Sequence, residues 1–77
     1  MPTATTPSKA ALREQAHQYL NRGDRALVAG RYKAAATTLA KAVSLFEQAF
    51  GPRHVDVAAP LNQLAMAYRY LARFVDA

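Results

Sequence analysis

Small and apolar residues recur at helical spacing along the first third of the chain. They form one stripe, which consists of Leu12, Ala16, Tyr19, Leu20, Gly23, Ala26 and Leu27. Intervals of three and four residues place such positions on one face of a helix. Thr6 or Ser8 can cap this helix, and Gly30 can end it. The pattern therefore predicts a helix over residues 8–29.

A second stripe begins directly after Gly30. Its members are Ala35, Leu39, Ala42, Val43, Phe46, Ala49 and Phe50. Gly51 allows a left-handed turn and Pro52 cannot continue a helix, so the pattern predicts a helix over residues 32–50. Because a very short turn separates the two helices, we expect them to be antiparallel neighbours. Gly23 would let the second helix approach the first closely.

A third helix is predicted over residues 57–72, with a stripe of Leu61, Leu64, Ala65, Tyr68 and Leu71. Its start has two interpretations. The favoured one has Asp56 as the N-cap and irregular geometry around Pro60, because the proline ring would meet a carbonyl of the first turn. The alternative begins at Ala59 with Pro60 as the first helical residue. No run of alternating β-branched residues is present, so strands are not expected.

The chain also repeats itself at a fixed interval. Arg31-Tyr32 is echoed by Arg73-Phe74, 42 residues later, and the same interval relates Gly23 to Ala65. A period of this length is typical of repeat proteins, whose stacked units usually serve to bind other molecules. Residues 1–7 are rich in proline and threonine and are predicted to be a disordered tail, followed by one helical domain over residues 8–77.

Over residues 16–77 the chain resembles the tetratricopeptide repeat family, in the long-helix form found in kinesin light chains. The positions that carry the resemblance are Gly23, Gly30, Tyr32, Ala35, Leu39, Ala42, the connector 50–58 and the segment 61–65. Arg22 departs from the family pattern, because a leucine is usual there. The resemblance implies an all-α fold of about one and a half repeats: an antiparallel helical hairpin plus a third helix, in a right-handed helical repeat.

The resemblance also implies a function. The first helix of each repeat lines a groove that takes extended peptides or helices, which makes the chain a non-catalytic protein–protein interaction module acting as scaffold, adaptor or docking segment. Mapped by spacing, the partner-binding residues are His17, Asn21, Asp24, Val28, Asn62, Met66, Arg69 and Tyr70. Asn21 and Asn62 resemble family asparagines that bond a ligand's backbone, since one amide both donates and accepts.

Self-association is a further expectation from the third helix. The chain ends at Ala77, where the resemblance calls for the next helix to begin. Parts of four large side chains would then face water: Leu64, Tyr68, Leu71 and Phe74. Burying a large apolar side chain is worth about 1.5–3 kcal/mol. We therefore expect either a homo-oligomer, preferably a two-fold dimer through the third helix, or membership of a longer repeat array.

The formal net charge of +5 raises a small basic helical nucleic-acid-binding domain as an alternative. The distribution of charge disfavours it. Arg22 and Arg25 lie on one side of the first helix and Lys9 and Arg13 on another, while Arg31 lies in a turn. Scattered charges of this kind usually form a solvated surface. Nucleic acid is therefore the less favoured partner.

Little in the sequence suggests catalysis. Motifs for nucleophilic, phosphate-binding or zinc-dependent chemistry are missing, and His17 and His54 have no carboxylate or cysteine at metal-binding spacing. We therefore expect no enzyme activity, no metal site and no cofactor. The chain has no cysteine, no visible secretory signal and no apolar run of the roughly 20 residues that span a bilayer. A cytoplasmic location without membrane insertion is the default expectation.

Overall fold

The computed structural model describes residues 8–76, and the surroundings of side chains from residue 8 to residue 73. Its elements are α1 (Lys9–Val28), α2 (Tyr32–Phe50), a 3₁₀ turn (Val55–Val57) and α3 (Ala58–Asp76). The described residues contain no strand. The predicted all-α class, with a hairpin followed by a third helix, is confirmed. The disordered tail predicted for residues 1–7 lies outside the described residues.

The two ends of α1 follow from short-range hydrogen bonding. Ser8 caps the start, because its hydroxyl oxygen accepts from the Ala11 amide at 3.1 Å. At the other end, Gly30 has a φ of +80°, and the Arg31 amide donates to the Ala26 carbonyl at 2.8 Å. This is the bonding pattern of a Schellman C-cap, for which glycine is preferred because it has no Cβ. The chain reverses here within three residues.

The connection to α3 differs from the sequence prediction. His54, not Asp56, supplies the side-chain cap, since its Nδ1 accepts from the Asp56 amide at 3.0 Å. The predicted irregular geometry is the 3₁₀ turn Val55–Val57. Pro60 then falls in the first turn of α3, where a missing N–H removes no intrahelical hydrogen bond. The alternative, with Pro60 as the first helical residue, begins two residues too late, and α3 continues four residues past its predicted end.

Two apolar clusters hold the helices together, and Leu20 of α1 packs against both. The first joins the beginning of α1 to the end of α2 and the 3₁₀ turn, around the buried residues Ala16, Ala42, Leu45, Phe46 and Val57. The second joins α2 to α3 and the end of α1, around Ala35, Ala36, Leu39 and Ala67. Ala36 and Leu45 lie outside the predicted α2 stripe because α2 is covered on two sides.

Helix α3 buries only one side of its predicted stripe. Pro60 and Ala67 are buried, and Leu64 and Leu71 are half-buried against the second cluster. Leu61 and Tyr68 remain 47% and 54% exposed. The reason is that α3 packs mainly on α2, with few contacts to α1. The exposed side of α3 is thus a large apolar surface that the described chain does not cover.

Candidate protein-binding face

A small cleft lies on the C-terminal half of α3. Its lining side chains are those of Met66, Arg69, Tyr70 and Arg73, and its volume is about 120 Å³. They are three or four residues apart along the helix, so they share one face. Three of the four belong to the partner-binding set predicted from the sequence. We refer to these four residues as the α3 cleft.

Tyr70 is held in place by an aromatic contact with α2. Its ring stacks on that of Tyr32, with centroids 4.7 Å apart and planes inclined by 13°. Both side chains are half-buried. Stacked aromatic pairs add about 0.5–1.5 kcal/mol beyond the area they bury. The α3 cleft therefore has one rigid aromatic wall, while the two exposed guanidinium groups form its polar rim.

One hydrogen bond connects this region to α1. The side chain of Gln63 donates from Nε2 to Oδ1 of the half-buried Asp24. Asp24 was predicted to contact a partner, but in this structure it bonds the neighbouring helix. Asn21, three residues before Asp24 on α1, and Asn62, directly before Gln63 on α3, are both exposed. The two asparagines are available for hydrogen bonding to a partner.

Like Asn21, Asp24 and Asn62, the predicted residues His17 and Val28 lie outside the α3 cleft. His17 donates from Nδ1 to the Arg13 carbonyl at 2.8 Å, and its ring meets the edge of Phe46 with centroids 5.1 Å apart. Its contacts are thus with α1 and α2. Val28 is 91% exposed at the end of α1 and does not line the cleft. Among the predicted residues, the structure groups those of α3 more clearly than those of α1.

Three contributors to this region were not predicted as site residues: Tyr32, Gln63 and Arg73. The spacing of Arg69 and Arg73, one helical turn apart, was the signal for a shared rim. Arg73 was nevertheless not assigned to the site, because the third helix was expected to end at residue 72. The pairing of Tyr32 with Tyr70 and of Asp24 with Gln63 depends on how α3 crosses the hairpin, which helical periodicity does not specify.

The described residues include neither a metal-binding cluster nor a membrane-spanning helix. They contain no group of three or more histidine, cysteine or acidic side chains placed to hold a metal ion. None of the helices in the described part of the chain has the length and apolar character needed to cross a membrane. His54 lies in the connector, with its ring 4.8 Å from that of Phe50.

Comparison with known proteins identifies the family. A family model described as tetratricopeptide repeat matches residues 10–77, which is most of the chain. Comparison with curated proteins and with solved structures finds no match. Tetratricopeptide repeats generally mediate protein–protein interaction and are typically non-catalytic. The match and the three-helix architecture together show that this chain belongs to the tetratricopeptide repeat family.

Proposed function

We propose that the chain is a non-catalytic docking module that binds a peptide or helix of another protein on α3. The observation that carries this proposal is the α3 cleft. It combines a fixed aromatic wall with hydrogen-bond donors that are exposed on its rim. Tyrosine, methionine and arginine are enriched at protein interfaces, where large apolar surfaces adjoin specific polar contacts. Asn62, one turn before Met66, extends the same side of the helix.

The polar groups of this face suit a polypeptide. Arg69 and Arg73 can donate to carboxylates or main-chain carbonyls, and the Asn62 amide can both donate and accept. Neither arginine lies within salt-bridge distance of a carboxylate in the described part of the chain. Within the described residues, their donors are therefore not engaged in ion pairs. The kinesin-light-chain-like subtype and a cytoplasmic location remain predictions that accompany this proposal.

The test is a paired substitution on the cleft side of α3. Asn62→Ala with Arg69→Ala is expected to lower partner capture from a lysate about tenfold, because interface groups of this kind contribute about 1 kcal/mol or more. The helical circular dichroism should not change, since both side chains are exposed. The measurement is quantitative capture with the full chain, followed by titration of the purified partner.

The matched control removes the same two chemical groups elsewhere. Gln15→Ala with Lys9→Ala deletes one amide and one cation from exposed positions of α1. It should leave capture unchanged. If the captured material is nucleic acid, and if Arg22→Gln with Arg25→Gln and added salt both release it, the nucleic-acid alternative is supported instead.

A second candidate function, self-association, is favoured by the exposed side of α3. Its residues are Leu61, Ala65, Tyr68 and Ala72, which lie at helical intervals and are all exposed. Forty-two residues earlier, the matching positions Tyr19, Gly23 and Ala26 face α2 in the hairpin. We propose that α3 offers this side to another helix, either in a second copy or in a longer array.

The residues predicted for self-association contribute unequally to this surface. Tyr68 is the most exposed, whereas Leu64 and Leu71 are half-buried against α2. The side chain of Phe74 lies outside the described residues. Leu61 joins the set because its side chain is nearly half exposed. A two-fold dimer would therefore be centred on Leu61 and Tyr68 rather than on the two half-buried leucines.

Light scattering over a concentration series tests the dimer. The mass is expected to rise from the 8.4 kDa of one chain toward twice that value. Leu61→Asp with Tyr68→Asp should keep the chain monomeric, because each buried carboxylate would lose its hydration. Val28→Asp, at a position exposed in the hairpin, is the control and should still dimerise. A constant monomer mass at high concentration would contradict the dimer.

A further inference from the structure

The first helix carries arginines where the third helix carries core residues. α3 packs on α2 through Leu64, Ala67 and Leu71. Forty-two residues earlier, the equivalent positions on α1 are Arg22, Arg25 and Ala29. Arginine is seldom buried without a partner, so this side of α1 is not a helix-stacking surface like that of α3. Both arginines are exposed.

The turn after α1 adds a third arginine to the same place. Arg31 is held there because its amide donates to the Ala26 carbonyl. The three arginines lie around an open surface depression of about 330 Å³. Its lining residues are Arg22, Arg25, Ala26, Ala29, Arg31 and Ala34. The lining is mostly apolar and is contributed by three alanines and three arginines. We call this set the arginine end.

None of the arginines of the arginine end forms a salt bridge within the described chain. Among the described residues, only His54 lies within salt-bridge distance of a carboxylate: its Nδ1 is 3.6 Å from Asp56 in the connector. Asp24 is close in sequence, but its carboxylate bonds Gln63 of α3. Arg25 lies in the last turn of α1, where the helix dipole favours a cation. The Arg22 guanidinium lies over the Tyr19 ring, 5.4 Å from its centroid, which leaves its charge without a carboxylate partner.

We propose that the arginine end binds an acidic segment of a protein, meaning a run of aspartate or glutamate side chains. Guanidinium groups bind carboxylates through paired hydrogen bonds, and three of them around one cavity fit several carboxylates. The apolar part of the lining suits the methylene groups and backbone of a polypeptide, whereas a small inorganic anion would leave it uncovered. A nucleic-acid strand needs cations along an extended track, and this cluster is confined to one end of the hairpin. The site is separate from the α3 cleft and goes beyond the docking function proposed there.

The experiment uses the full chain and a fluorescently labelled oligoglutamate peptide, followed by anisotropy at low salt. Arg22→Gln/Arg25→Gln/Arg31→Gln is expected to weaken binding about tenfold or more. The control Lys9→Gln/Lys41→Gln/Arg53→Gln lowers the net charge by the same amount at exposed positions. It should weaken binding only about threefold or less, since distant surface charges are screened. Circular dichroism establishes that each variant is folded.

A second measurement does not depend on the variants. In NMR titrations of the unmodified chain, oligoglutamate is expected to shift the methyl resonances of Ala26, Ala29 and Ala34. Shifts confined to the α3 cleft would overturn the proposal, as would equal losses in the arginine and control variants. Absence of oligoglutamate binding would also overturn it. Tighter binding of an oligothymidylate of equal charge, lost in the arginine variant, would assign the site to nucleic acid instead.

Discussion

Replacing Phe46 with alanine is expected to destabilise the chain by about 3–5 kcal/mol, the usual cost of removing a buried aromatic ring. Phe46 is 2% exposed and lies in the first apolar cluster, between α1 and the end of α2. Its ring makes an edge-type contact with that of His17 and stacks on that of Phe50, with centroids 5.1 and 5.8 Å away. Removing the ring would therefore leave a cavity and abolish the contacts with both His17 and Phe50.

This loss is large compared with the total free energy of unfolding expected for a chain of this size. Natural domains have about 0.05–0.15 kcal/mol of stability per residue, and a 77-residue chain buries a smaller share of its surface than a large one. Thermal and urea unfolding followed by circular dichroism measure the effect. Val28→Ala, at a position that is 91% exposed, is the control and should change stability by less than about 0.5 kcal/mol. Equal melting of Phe46→Ala and the parent would show that the first cluster does not hold the hairpin together.

The sequence predicted the hairpin closely because its limits are encoded locally. Glycine on both sides of α2 defines where that helix can begin and end, and both glycines have positive φ. The start of α3 was harder to predict, because Asp56 and Pro60 gave conflicting local signals. The structure resolves the conflict with a 3₁₀ turn capped by His54, a residue that is not among the strongly preferred helix caps.

The candidate site was predictable only in part, for a related reason. The family resemblance implied that Met66, Arg69 and Tyr70 share the groove face of the third helix, and they do line one cleft. Periodicity could not show which side of α3 meets α2, because the apolar stripe is wide enough for several orientations. The contacts between distant segments, Tyr32 with Tyr70 and Asp24 with Gln63, therefore came from the structure.

The close approach of α1 and α2 at Gly23 leads to the second large effect. Gly23 is buried, and a Cβ built on it would overlap Cγ and Cδ2 of Leu39, which has no exposed surface. Since Cγ is the branch point of that side chain, a rotation of its methyl groups cannot relieve the overlap. Gly23→Val is therefore expected to destabilise the hairpin by about 3 kcal/mol, at the upper end of the usual overpacking cost.

A double-mutant cycle separates this contact from a general effect of valine in a helix. Leu39→Ala alone should cost about 2–5 kcal/mol, because it leaves a cavity. Combined with Gly23→Val, it should cost less than the two losses added together, by about 0.5–3 kcal/mol, since the valine fills part of that cavity. Ala10→Val, at an exposed position of α1, controls for helix propensity and should change stability by no more than about 0.5 kcal/mol. Simple additivity in chemical denaturation would mean that Gly23 and Leu39 are not in contact, and that the small residue at 23 does not set the spacing of the two helices.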